Sequence, residues 1–280
     1  MRIDVLVENT LPEGNPHSLA GEHGLSLLLR EGERKILFDT GASSKFLSNA
    51  RKLGLRPETA SVVVLSHGHY DHGGGLDSFL KTNPGVRIVL GKGFDGGFRS
   101  KKGLRYRDVG LSRRTLKTLS AFSQQTHIVE DISEIVPGFF VFPIREHPYP
   151  LPRGNGSLFR KTGTGLEPDD FSHEIAAAAV TAEGLVVLTG CAHNGVLNIL
   201  HTVEQDLPDS KIAAVVGGFH LRGDPEENAQ LSETAAEMLA LAPEARFFTG
   251  HCTADSAYAR LRSVLGDRLE HLSCGLRISV

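Results

Sequence analysis

Ser66-His67-Gly68-His69-Tyr70-Asp71-His72-Gly73-Gly74-Gly75 is the stretch from which the rest of the chain can be read. It follows the Val-rich apolar run Ala60 to Leu65, which has the length and β-branched content of a buried strand. It precedes a segment with helical spacing at Leu76, Phe79 and Leu80. Three imidazoles and a carboxylate within six residues suit a divalent metal. A loop can aim His67 and His69 to one side, and the turn entering the helix can aim Asp71 and His72 to another. One short segment can thus serve two metals, and its glycines keep side-chain bulk away from the ions. The competing reading is a polar surface turn with histidines by chance. The residue order and the strand–loop–helix context both weigh against it.

Working outward, strand-like and helix-like segments alternate. Arg2 to Glu8, His23 to Arg30 and Lys35 to Phe38 read as strands, and Ser44 to Leu53 as a helix with Phe46, Leu47, Ala50 and Leu53 on one face. The second half repeats this order. His173 to Thr181 and Leu185 to Leu188 read as strands, Gly195 to Val203 as a helix and Lys211 to Val216 as a buried strand. Pro225 to Leu241 reads as a long helix with proline in its first turn, followed by a strand at Ala245 to Phe248 and a helix at Ala254 to Leu265. Gly32 to Asp39 and Gly184 to Cys191 are both seven residues, and Asp39 to His67 is 28 where Cys191 to His220 is 29. The ordered set predicts a duplicated β-β-α-β unit. Its natural closure is an α/β fold with two mixed sheets packed face to face and helices outside. A single domain over 1–280 is expected. It is interrupted by a basic, Gly-rich loop region around 91–117 and an irregular Pro- and Gly-rich loop over 148–170.

Composition narrows the function. Hydrophobic residues make up 40% and charged residues 22% of 280 residues, which excludes disorder for most of the chain. A net charge of -3 argues against nucleic acid as partner, and the longest apolar run, Ile175 to Val180, is too short to span a membrane. Asp4 stands where a signal peptide needs an apolar core, so a cytoplasmic location is expected. Three scattered cysteines, Cys191, Cys252 and Cys274, do not make a disulfide framework. The basic loop carries nine Lys or Arg between Lys92 and Lys117 against Asp95 and Asp108. That bias is opposite to the whole chain and points to an anion-attracting lid, with Lys101, Lys102 and Arg105 as substrate-binding candidates. A solvated charged face is the plainer alternative.

His-x-His-x-Asp-His after a strand resembles the metallo-β-lactamase superfamily. The resemblance implies an αββα sandwich, two divalent metal ions (Zn²⁺ first, Mn²⁺ or Fe²⁺ as alternatives) and hydrolysis by metal-activated water. It implies His67 and His69 on one metal, Asp71 and His72 on the other, and a final ligand at His251 in Thr249-Gly250-His251-Cys252-Thr253. In Gly190-Cys191-Ala192-His193, Cys191 stands where the superfamily often has a metal-bridging Asp, leaving Cys191 to bridge or support. For the first metal's third ligand the resemblance leaves two candidates, with His193 expected and His147 in Arg145-Glu146-His147-Pro148 as rival by chain order.

Gly-Cys-Ala-His-Asn-Gly, Gly217-Gly218-Phe219-His220-Leu221 and Gly-His-Cys-Thr together resemble the 7,8-dihydropterin-6-methyl-4-(β-D-ribofuranosyl)aminobenzene-5'-phosphate synthase family. That family couples a pterin to a phosphoribosyl-aminobenzene. The chain departs from it where a Gly-Glu-Ile-Pro-Arg-like loop is expected and Arg145-Glu146-His147-Pro148 stands instead. The expected function is a dinuclear metalloenzyme acting on a small anionic, phosphorylated substrate. The alternatives are a hydrolase of a phosphodiester, lactone or thioester, and a nuclease.

Asp71 and His220 are the catalytic candidates. The repeat places His220 at a strand end equivalent to that of His67, as substrate binder, acid/base or extra ligand. Asp39, the repeat partner of Cys191, either hydrogen-bonds a ligating histidine or steadies its own turn. His17, His23, His127, His173, His201 and His271 are isolated and read as surface or core histidines.

Overall fold

The computed structural model describes residues 1–208 and 210–280, with side chains throughout except at 228 and 229. It divides into two compact units. Unit 1 comprises Met1–Val129, Gly156–His173 and Ser273–Ser279; unit 2 comprises Glu130–Asn155, Glu174–Leu272 and Val280. In unit 1 the chain runs through β1 (Arg2–Val7), β2 (Ser26–Glu31), β3 (Arg34–Phe38), α1 (Lys45–Lys52), β4 (Val62–Leu65) and the single turn α2 (Tyr70–Gly73). It continues through α3 (Leu76–Thr82), β5 (Arg87–Gly91), β6 (Phe98–Lys102), β7 (Arg105–Asp108), α4 (Arg113–Ala121) and β8 (Thr126–Val129). Unit 2 then takes β9 (Ser133–Val136) and β10 (Phe139–Pro143), and unit 1 takes β11 (Leu158–Thr162) and β12 (Gly165–Pro168). Next come β13 (Ile175–Val180), β14 (Leu185–Leu188), α5 (Val196–Asp206), β15 (Ile212–Val216), α6 (Pro225–Leu241), β16 (Arg246–Thr249), α7 (Asp255–Leu265) and β17 (Leu269–His271) in unit 2. β18 (Arg277–Ser279) belongs to unit 1.

Each unit has its own seven-stranded mixed sheet. The order is β18-β1-β2-β3-β4-β5-β8 in unit 1 and β17-β16-β15-β14-β13-β10-β9 in unit 2. β2 and β3 pair antiparallel and β3 and β4 parallel; β13 and β14 pair antiparallel and β14 and β15 parallel. The repeat read from spacing is therefore present as β2-β3-α1-β4 and β13-β14-α5-β15. The parallel strands are buried on both faces, which is why Val62-Val63-Val64-Leu65 shows no alternation.

Register puts Leu28, Leu37, Val63 and Ile88 in one row, and Phe46, Leu47, Leu76, Phe79 and Leu80 of α1 and α3 join them in one core. In unit 2 the row Val187, Val215, Phe247 and Leu269 shares a core with Ile199 and Leu200 of α5, Leu231 and Met238 of α6 and Leu261 of α7. Asp224 caps α6 by accepting from the Glu227 amide at 3.0 Å, and Pro225 opens the first turn. Among the described residues no helix is long and apolar enough to cross a membrane.

Both stretches expected to be structureless contain strands, and they pair with each other. β6–β7 and β11–β12 are hairpins joined through β6–β11 into a four-stranded antiparallel sheet within unit 1. Only Phe98 and Leu158 of its strands are buried, in a small core with Val109 and Phe171. Strands such as Arg105-Tyr106-Arg107-Asp108 are exposed throughout, so no apolar alternation announces them.

Candidate metal centre

The motif loop of unit 1 begins where β4 ends. Gly68 is required there because a Cβ would stand 2.3 Å from the Phe94 carbonyl oxygen. His67 and His72 are fully buried, and His69 and Asp71 are nearly so. His67 Nε2 and His69 Nδ1 lie 3.1 Å apart. The rings of His67 and His72 have centroids 4.3 Å apart. Asp71 Oδ2 is 3.2 Å from His23 Nε2, so His23, read from sequence as isolated, holds the motif carboxylate.

Asp39 organises two of these imidazoles. It follows β3 with φ 58°, in the left-handed region. Its Oδ2 accepts from His72 Nδ1 at 2.6 Å and from the Ser66 hydroxyl at 2.8 Å, and its Oδ1 accepts from the Ser66 amide at 2.8 Å. With its proton given to Asp39, the Ser66 Oγ accepts from His67 Nδ1 at 2.9 Å. Both Nδ1 atoms therefore carry protons, and the lone pairs of the His67 and His72 rings are on Nε2.

Electrostatics point the same way. Burial, and then the neighbouring His72 and His69, hold His67 well below the usual imidazole range. Burial takes His69 down to about 3, against the opposing pull of Asp71. These rings stay neutral at neutral pH, and two neutral nitrogens face each other at hydrogen-bond distance. That donor set fits a divalent cation.

His173 also belongs to this loop. Its Nδ1 accepts from the Gly68 amide at 3.1 Å and its Nε2 donates to Asp169 Oδ2 at 3.3 Å. Its ring stacks on Phe98 with centroids 4.1 Å apart. No local pattern signals it, because its partner Gly68 is 105 residues away.

In unit 2 the candidates follow three adjacent parallel strands: Cys191 and His193 after β14, His220 after β15, His251 and Cys252 after β16. The Glu174 carboxylate accepts from the amides of His193 and Asn194, each at 2.8 Å, and from the Asn194 side chain at 2.9 Å. Asn155 accepts from His193 Nδ1 at 3.1 Å and donates to the His193 carbonyl at 2.7 Å. His193 is buried, and with its Nδ1 donating to Asn155 its ring lone pair is on Nε2. His147 is exposed and donates through Nε2 to Asn194 Oδ1 at 2.7 Å, so the structure gives it a place in the network that shapes the His193 turn.

Ala192, His220 and His251 all adopt positive φ, at 59°, 49° and 45°. Such backbone costs ~1–3 kcal/mol per residue and gathers at functional loops. Burial raises the Cys252 thiol, but contacts with Cys191 and His220 and the charge of His251 outweigh it and hold the thiol well below its usual range. Beside Phe219 and Leu221, a cavity of about 320 Å³ is lined by Tyr149, Leu151, Gln230 and Glu237, all of unit 2.

Lys101, Lys102 and Arg105 are exposed at the tip of the β6–β7 hairpin. The base of that hairpin touches the motif: the Tyr70 amide donates to Val109 O at 2.9 Å, and the Phe98 ring lies 5.5 Å from that of His69.

Comparison with known proteins places these loops in context. The family model described as the metallo-beta-lactamase superfamily matches residues 19–251. The chain is 26% identical over 265 residues to the 7,8-dihydropterin-6-methyl-4-(beta-D-ribofuranosyl)-aminobenzene-5'-phosphate synthase of Methanocaldococcus jannaschii, covering 91% of this chain and 88% of that protein. Among solved structures it is similar to Tm1679, described as a metal-dependent hydrolase of the beta-lactamase superfamily, with 30% identity, a TM-score of 0.81 and coverage of 100% and 99%. It shares the fold of Zn²⁺-bound PqqB from Methylobacterium extorquens, with a TM-score of 0.54 at 14% identity and full coverage of both chains.

Proposed function

Because this chain belongs to the metallo-β-lactamase superfamily, we propose that it is a dinuclear metal-dependent enzyme acting on a small anionic, phosphorylated substrate, of the dihydropterin–aminobenzene-phosphate synthase type. The observation that carries this reading is the buried pair of ring nitrogens, His67 Nε2 and His69 Nδ1, 3.1 Å apart and both held neutral. The relative from Methanocaldococcus jannaschii, similar along 91% of this chain, supports the substrate class.

The superfamily's ligand order would assign His67, His69 and His193 to one ion and Asp71, His72 and His251 to the other, with Cys191 to bridge or support. When bound, a divalent ion of the Zn²⁺, Mn²⁺ or Fe²⁺ kind would supply Lewis acidity toward a phosphoryl or carbonyl oxygen. The chain's own residues do the rest. Asp39 and Ser66 fix the tautomers of His67 and His72. Asn155 does the same for His193. Asp71 is both ligand and catalytic carboxylate, and His220 serves the substrate or a metal. Lys101, Lys102 and Arg105 attract the anionic substrate. The cavity bordered by Tyr149, Phe219 and Leu221 gives a flat organic group an apolar wall.

The 30% identity to a metal-dependent hydrolase favours a second reading, hydrolysis of a phosphodiester, lactone or thioester, on the same metals. Metal analysis of the purified chain, joined to a screen of those esters and of phosphorylated pterins with an aminobenzene acceptor, separates the two. Two ions per chain and coupling of a pterin establish the first reading, and ester cleavage alone the second. A chain that binds no ion, or whose turnover survives a chelator, overturns both.

A further inference from the structure

Three donor atoms meet inside unit 2 without any contribution from the motif loop. The Sγ atoms of Cys191 and Cys252 and a ring nitrogen of His220 all lie within 4.8 Å of one another. Each donor sits in the loop after one of three neighbouring parallel strands, β14, β15 and β16. Loops at the carboxyl ends of adjacent parallel strands are where such sheets gather ligand groups. From the geometry we propose that Cys191, Cys252 and His220 form a thiolate-rich metal site of their own, taking Zn²⁺ or an ion of like softness.

Several independent features fit this site. Both ring nitrogens of His220 are buried, and neither has a hydrogen-bond partner. A buried polar atom left so carries an uncompensated desolvation cost, and a ligand bond to it removes that cost. His220 is also held at φ 49°, a conformation that needs a reason in a residue with a Cβ.

The backbone is packed to bring the sulfurs in. A Cβ on Gly218 would stand 2.4 Å from Cys252 Sγ, and one on Gly217 would stand 2.0 Å from the Thr189 carbonyl oxygen. Cys252 Sγ accepts from the His220 amide at 3.2 Å and lies 3.4 Å from the Cys191 carbonyl oxygen. An amide donating to sulfur is the ordinary support of a metal-bound thiolate.

Two sulfurs and one imidazole suit a borderline-soft, tetrahedral ion and disfavour Mg²⁺ or Ca²⁺. Three protein ligands leave a fourth position open. In this proposal His220 is a metal ligand rather than a substrate group, and none of the motif residues His67, His69, Asp71 and His72 is used. It shares Cys191 with the reading of that motif, and takes that thiol from the bridging or supporting place given to it there.

Cobalt distinguishes the two. The full chain is stripped of metal under reducing conditions and titrated with Co²⁺ alone. A thiolate site gives an intense sulfur-to-cobalt charge-transfer band in the near ultraviolet, which histidines and carboxylates cannot give. We expect that band in the wild type and in the motif variant H67A/H69A. It should weaken in C191S and in C252S and vanish in the double variant. In H220A the Co²⁺ affinity of the band should fall by more than the roughly 10–100-fold that losing a supporting hydrogen bond costs. Cobalt binding without the band in the wild type overturns the site, and that spectrum needs no variant to fold. Loss of the band in H67A/H69A also overturns it, because Cys191 would then belong to the motif's ions. Failure of the motif reading shows instead as a wild type with the charge-transfer band and no further bound ion.

Discussion

Asp39 Oδ2 and His72 Nδ1 lie 2.6 Å apart with both side chains fully buried, and the same carboxylate takes the Ser66 hydroxyl that supports His67. One acid thus sets the tautomer of two motif histidines. Asp39→Asn keeps the volume but replaces a charged acceptor by a neutral amide. Removal of such an outer partner typically costs 10–100-fold in metal affinity, and we expect a loss in that range. A chelator competition on D39N beside wild type checks it. Unchanged affinity would mean that Asp39 only steadies its own turn.

His173 carries the second prediction. It links the Gly68 amide, 105 residues away in sequence, to Asp169. His173→Ala leaves a buried amide without its acceptor and opens space beside Phe98. A loss of about 1–3 kcal/mol is expected for the amide alone. His173→Asn, whose shorter side chain still offers an acceptor, should recover part of it. Urea unfolding of both variants is the measurement, and equal stability of H173A and wild type would make the link irrelevant.

These two residues also mark what can be read from a sequence. Asp39 is legible because the half-repeat equates it with Cys191, and the repeat is written in strand periodicity that a single chain displays. His67, His69, Asp71 and His72 announce themselves because their spacing is local. His173 and Asn155 act across the chain, and nothing near them in sequence records their partners. The hairpins β6–β7 and β11–β12 escaped for a different reason. Their strands pack Phe98 and Leu158 inward and leave nearly everything else in solvent, so pairing, rather than apolar burial, holds them as strands.

The third prediction concerns acid. Folded His69 has its pKa near 3, and an unfolded imidazole titrates near 6.5. Between those values the unfolded chain binds a proton that the folded chain does not, so stability is full above 6.5 and is lost as pH falls below it. For the metal-stripped protein His69 alone accounts for about 2 kcal/mol lost by pH 5, and His67, shifted the same way, adds to it. Urea midpoints at pH 7.5, 6 and 5 should fall in that order, and H69Q should flatten the trend. A pH-independent midpoint over this range would contradict the burial argument.

The last prediction concerns Lys101, Lys102 and Arg105 at the hairpin tip. Phe98, at the base of the same strand, stacks edge-on to His69, while Lys102 is four residues farther along, roughly 13 Å away at strand rise. That exceeds the Debye length of about 10 Å at 0.1 M salt. Charges so placed steer an anion toward the loop at low ionic strength and are screened at high ionic strength. Lys101 also lies 5.6 Å from the Tyr106 ring and 5.9 Å from the Phe159 ring, contacts worth at most about 1 kcal/mol at an exposed site. Replacing the three residues by alanine should therefore leave the fold and metal content intact. Apparent affinity for a phosphorylated substrate should drop several-fold at about 0.02 M salt, with little difference from wild type near 0.5 M. Affinity measured across that salt range in both proteins gives the answer. Parallel salt slopes would reduce the run to a solvated face, and a loss that persists at high salt would mean direct contact with the substrate.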